Sequence, residues 1–88
     1  MTSRELQQMM RLCRAVQGYG RPMPAKTWPA RHVALAMRAG LVVSDVVAYG
    51  VGSQTVLVTT EAGYVMSRAV CLYDAERALE LPALLGLV

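Results

Sequence analysis

The sequence predicts an α+β domain built in the order helix, helix, β-hairpin, helix. Three observations carry that prediction. A capping box opens a stretch of apolar residues at helical spacing near the N-terminus. A β-branched run between residues 42 and 59 is split by the cluster Gly50-Val51-Gly52-Ser53. A threonine at 60 then opens a second long helical pattern. With 88 residues the chain reads as one domain, 1–88.

The first helix starts at Thr2-Ser3-Arg4-Glu5, where the Thr2 hydroxyl can bond one free amide and Glu5 can reach back to another. Behind it Leu6, Met9, Met10, Cys13 and Val16 form the apolar face. Arg4, Gln7, Gln8, Arg11 and Arg14 fall on the opposite side, and Gly18-Tyr19-Gly20 ends the helix. Arg21 to Trp28 reads as a loop, because Pro22 and Pro24 restrict themselves and the residues before them. Trp28 anchors that loop on the core in this reading. Pro29 suits the first turn of a second helix through Ala39. Ala30, Val33, Ala34, Ala36 and Met37 are expected to face inward, with Arg31, Leu35 and Arg38 outward and His32 at the edge. Gly40 is read as the left-handed residue that closes the helix, with Leu41 folding back on its last turn.

Val42 to Ala48 and Gln54 to Thr59 form the hairpin, with its tip at Gly50 to Gln54. Thr60 caps a third helix, which is expected to run to about Leu81, where Pro82 stops it. Its apolar residues nearly encircle it. A helix of that kind is buried on more than one side, so one side is assigned to a second copy. Val65, Ala69, Leu72 and Leu79 are the residues expected to make that homodimer contact. The apolar tail from Pro82 to Val88 is expected to dock on the domain.

Composition supports a partner of some kind. Residues are 55% hydrophobic and only 17% charged, with a mean hydropathy of +0.34. A domain this small has little interior to hide so much apolar surface. No apolar run is long enough to cross a membrane and no leader pattern opens the chain, so a cytoplasmic protein is expected. Cys13 and Cys71 read as buried free thiols, with a disulfide between them as the alternative. The charge is uneven. Residues 1–40 carry seven cations against Glu5 alone, a net of +6, whereas residues 41–88 carry two against five acids, a net of −3. A basic half suits nucleic acid, and equally an acidic protein.

Two local patterns sharpen the reading. Leu35-Ala36-Met37-Arg38-Ala39-Gly40-Leu41-Val42 is a helix ending in a Gly-Leu-Val step into a strand. Val56-Leu57-Val58-Thr59-Thr60-Glu61-Ala62-Gly63 is a strand running into Thr-Glu-Ala-Gly at a helix start. In this order and spacing they resemble winged-helix proteins over roughly residues 30–70. The resemblance implies a compact winged-helix-like domain in which the helix 29–39 enters the DNA major groove, and the apolar last helix read above makes it dimeric. It places Arg31, His32, Leu35 and Arg38 outward on that helix, supported by Arg21 and Lys26 from the preceding loop. Ser53 and Gln54 lie at the wing tip. The sequence departs from the family pattern twice. A Pro-rich loop stands where a full second helix is usual, and the wing tip has no Arg or Lys.

No nucleophile elbow, phosphate loop, Cys-x-x-Cys or apolar carboxylate pair is present, so no enzyme and no cofactor are expected. A lone histidine does not make a metal site. The expected function is that of a small DNA-binding transcriptional regulator working on duplex DNA. The alternative is a winged-helix-like interaction module for an acidic protein partner, such as a phage or mobile-element inhibitor of a host complex. A third reading is a dimerisation module whose cations are solvated helix charges.

Overall fold

The computed structural model describes residues 1–20, 22–69 and 72–80. The capping box forms as read: the Thr2 amide donates to Glu5 Oε1 at 2.9 Å, and the Glu5 amide donates to Thr2 Oγ1 at 3.1 Å. It starts α1 (Ser3–Gly18), which contributes Leu6, Met9, Leu12, Cys13 and Val16 to the core. Leu12 takes the central place that the sequence reading gave to Met10, which is only partly buried. Helix α1 is the hub of the fold, touching every other α-helix.

The expected loop is more ordered than its prolines suggested. Met23–Pro24 forms a short strand β1, and Ala25–Thr27 a 3₁₀ turn. Both prolines are compatible with this, since β1 is a sheet edge, where a missing N–H costs no ladder bond. Trp28 packs partly buried against the core, and its indole N–H donates to Met23 Sδ at 3.2 Å. It therefore anchors this segment, as expected.

Helix α2 (Ala30–Arg38) ends in the anticipated left-handed cap: Gly40 has φ +73°. The Gly40 amide donates to Met37 O and the Leu41 amide to Ala36 O, at 3.1 and 2.9 Å. This bond pair folds Leu41 back over the last turn. Strands β2 (Val42–Tyr49) and β3 (Gly52–Thr59) follow, and the antiparallel sheet has the order β1-β3-β2. Tyr49 pairs with Gly52, so the connection is only Gly50-Val51. Gly50 takes φ +60° while Val51 stays out of the left-handed region, which is the pattern of a type II′ turn. The tip is thus tighter than the sequence suggested, and Ser53 and Gln54 are strand residues of β3.

The expected single last helix is two. Helix α3 (Glu61–Arg68) stops at Ala69, whose backbone is extended at φ −63°, ψ 134°, and α4 (Leu72–Ala78) follows. Arg14 explains the break. Its Nε donates to Ser67 O at 3.1 Å and its Nη2 to Ala69 O at 2.5 Å. In an unbroken helix the Ser67 carbonyl would accept from the amide four residues on. The two short helices bury Ala62, Met66, Ala75 and Ala78, while Tyr64, Val65 and Tyr73 stay exposed. Val70, Cys71 and the expected docking of the tail lie outside the described residues.

The two patterns that carried the family resemblance meet in space. The Thr60 amide donates to Leu41 O at 3.0 Å, and the Thr60 hydroxyl to Gly40 O at 2.5 Å. Thr60 Oγ1 also caps α3 by accepting from the Gly63 amide at 3.2 Å. Gly63 lies directly against this corner: a Cβ there would stand 1.9 Å from Leu41 O. The Gly-Leu-Val step and the Thr-Glu-Ala-Gly start are therefore two halves of one joint. No described helix is long and apolar enough to cross a membrane.

Candidate functional site

Helix α2 exposes Arg31 and Arg38, as expected from the sequence. The rest of its wheel is turned from the expected setting. Leu35, expected outward, is partly buried against the core, whereas Met37, expected inward, is 44% exposed. Ala30 and Ala34 are exposed as well. The closing bond pair sets this rotation. It brings the Ala36 turn under Leu41, and both residues are fully buried. The wheel alone was ambiguous, because α2 carries apolar residues on every side.

The α2 cations do not act from an isolated face. Arg31, His32, Leu35 and Arg38 line a cleft of about 370 Å³ together with Arg4, Glu5 and Gln8 of α1. Three guanidinium groups and one carboxylate thus share one opening. The carboxylate is already engaged in the capping box. Its pKa is lowered, chiefly by the hydrogen bonds from Thr2, with Arg38 adding a smaller electrostatic effect. Glu5 therefore remains ionised well into the acidic range.

His32 forms one wall of the cleft. Its ring lies 6.5 Å from the Trp28 ring, tilted by 51°. His32 Nδ1 is buried without a hydrogen-bond partner, alone in this respect among the side-chain nitrogens and oxygens of the described residues. Among the described residues no group of three His, Cys, Asp or Glu side chains could hold a metal ion.

The structure separates the other expected contact residues from this cleft. Lys26 and Gln54 line a second depression of about 330 Å³ on the outer face of the sheet, with Tyr19, Pro24 and Val56. Ser53 is exposed opposite Ala48 on the hairpin. Arg21 lies outside the described residues. Arg4 and Gln8, which line the cleft, were read only as part of the polar side of the first helix. Their sequence signal was the i, i+4 spacing that stacks them on one face.

The expected dimer residues also separate. Val65 is 38% exposed on α3, but Ala69 lies in the protomer's own core at 5%. Leu79 packs partly buried against that core, and Leu72 opens α4. Ala69 nevertheless borders, with Val65, a depression of about 530 Å³ lined by residues of α3 and α4.

The hairpin presents Val43, Val46, Val51 and Val58 to solvent. Asp45 is its one charged residue, and Asp45 Oδ1 accepts from the Val46 amide at 2.8 Å. Comparison of the chain with protein-family models, curated proteins and solved structures finds no match.

Proposed function

We propose that the protein is a small, non-enzymatic, duplex-DNA-binding regulator of winged-helix type that uses α2 as its contact helix. The observation that carries this reading is the pair Arg31 and Arg38, both exposed on α2 and both on a cleft whose only carboxylate among the described residues is the capped Glu5. Guanidinium forks suit phosphate oxygens and base edges. The left-handed close of α2, the hairpin after it and the Thr60 joint support the winged-helix assignment. The 3₁₀ turn at Ala25–Thr27 stands where the family has its second helix. Homodimerisation remains part of the proposal, now through Tyr64 and Val65 of α3 and Tyr73 of α4, all exposed.

The test is titration of fluorescent random-sequence duplex DNA between about 50 and 200 mM salt. Binding that weakens steeply with salt is expected. In Arg31→Ala/Arg38→Ala the slope of log K against log salt should shrink by about 1.8, two phosphate contacts' worth. No binding by the wild type at low salt overturns the reading.

The bare hairpin favours a second reading. Four exposed valines and no cation fit a protein surface better than a DNA groove. On that reading the protein is an interaction module, such as a mobile-element inhibitor of a host complex. A stoichiometric complex with one acidic protein, with no DNA retained at physiological salt, would mark it.

A further inference from the structure

The cleft between α1 and α2 holds more than a contact helix needs. Two elements each contribute cations to one opening: Arg4 from α1, and Arg31 and Arg38 from α2. Gln8 adds an amide donor on the α1 side. Like charges gathered this way repel one another unless an anion sits among them. Glu5 offsets part of that charge, but its carboxylate is bound at the helix start by the Thr2 amide. The cleft is near the lower end of the size range of ligand sites, enough for a phosphate with its sugar.

We infer that this cleft is a phosphate-binding site, with Arg4 and Gln8 gripping one phosphate from the α1 side against Arg31 and Arg38 on α2. This rests on the DNA reading for the source of the phosphate and deepens it. The duplex backbone then passes over the first turns of α1. The hairpin tip, Gly50-Val51, offers no cation to hold it. A free phosphate ester is the other source of the same chemistry.

Two variants test the site with opposite signs. Arg4→Gln removes one guanidinium from an exposed position. Glu5→Gln removes the carboxylate while leaving an amide oxygen that can still serve the capping box. Duplex titrations across salt, a thermal melt of each variant, and melts of wild type and Arg4→Gln in millimolar inorganic phosphate complete the set. Arg4→Gln should reduce the salt slope by about 0.9, which is roughly threefold less affinity lost between 50 and 200 mM salt. Glu5→Gln should bind duplex more tightly than wild type. Neither should shift the melting temperature by more than a few degrees.

If Arg31→Ala/Arg38→Ala abolishes duplex binding while Arg4→Gln and Glu5→Gln leave it unchanged, the cleft inference falls and the DNA reading survives. If duplex DNA does not bind but inorganic phosphate raises the melting temperature of wild type and not of Arg4→Gln, the DNA reading falls. The cleft then stands as a site for a free phosphate ester. If neither duplex nor phosphate binds, both fall.

Discussion

Replacing Gly63 by alanine tests the joint on which the fold turns. The added Cβ would lie 1.9 Å from Leu41 O, 2.9 Å from Leu41 C and 3.2 Å from Thr59 Cβ. Two of these are backbone atoms, so no side-chain rotation relieves the contact. Ordinary contact begins near 3.4 Å, so the Leu41 carbonyl must retreat by about 1.5 Å. That same carbonyl accepts from the Thr60 amide at 3.0 Å, and the preceding one accepts from the Thr60 hydroxyl. A retreat of that size breaks at least the first bond. The loss is about 1 kcal/mol for the bond and about 1–3 kcal/mol for a carbonyl left unpaired. Displacing the fully buried Leu41 adds a packing cost, bringing the total to about 3–5 kcal/mol. For a domain of this size each kcal/mol is worth about 4–8 °C. Gly63→Ala should therefore melt at least about 12 °C below wild type in a circular-dichroism scan, or fail to fold. Gly18→Ala is the internal control. No atom lies within 4 Å of its built Cβ and its φ is not positive, so it should be neutral or stabilised by about 0.5–1 kcal/mol. If Gly63→Ala melts within a few degrees of wild type, the joint is not built as described.

Three further expectations follow from particular bonds. Arg14→Met removes the donors to Ser67 O and Ala69 O; it should cost about 1–3 kcal/mol and raise amide exchange first in α3 and α4, and unchanged exchange there would disprove the role given to Arg14. Thr60→Val deletes both the α3 cap and the bond to Gly40 O, with an expected loss of about 1–2 kcal/mol in denaturant titration; Thr60→Ser should recover most of it. Burial pushes the Cys13 thiol up to about 12 from its ordinary 9.0. Between those values the folded state keeps a proton that the unfolded state has lost. The stability from this group is therefore whole below pH 9 and disappears as pH rises through 12. In a Cys71→Ser background a disulfide reagent at pH 8 should label Cys13 only as fast as the protein opens, and labelling at the rate of a free thiol would contradict its burial.

Local chemistry was legible wherever a few neighbouring residues decide the outcome. The Thr2–Glu5 box, the Gly40-Leu41 close of α2 and the Thr60 cap each need only a short window, and each formed. What depended on a distant partner was hidden. Nothing near residue 69 announces a helix end, because the agent is Arg14, more than fifty residues earlier in the chain. Arg14 looked like one more solvated charge on α1. Apolar residues on all sides of 61–81 read as one helix meeting a second copy, whereas the described part of the segment is two short helices that bury Ala62, Met66, Ala75 and Ala78 and leave Tyr64, Val65 and Tyr73 exposed. The same lack of a partner misplaced Leu35. A nine-residue helix with three alanines and one valine shows no single apolar face, and only its docking under Leu41 selects one.

The candidate site shows the same division between local and distant causes. The cations of α2 were legible because Arg31 and Arg38 are seven residues apart, two turns on one helix face. Their company was not, because it comes from a different helix, α1, that packs beside α2 only in the folded chain. Folding brings Arg4 and Gln8 to them and sends Lys26 and Gln54 to the outer face of the sheet. Electrostatics gives this regrouping its consequence. Glu5 is needed to start α1, yet it stands among three guanidiniums and weakens their field. Its capping oxygen can be supplied by glutamine, its charge cannot, so the requirements of folding and of anion binding are separable at this one residue. A Glu5→Gln protein that keeps its helix and loses its carboxylate should hold an anion more tightly than the natural chain.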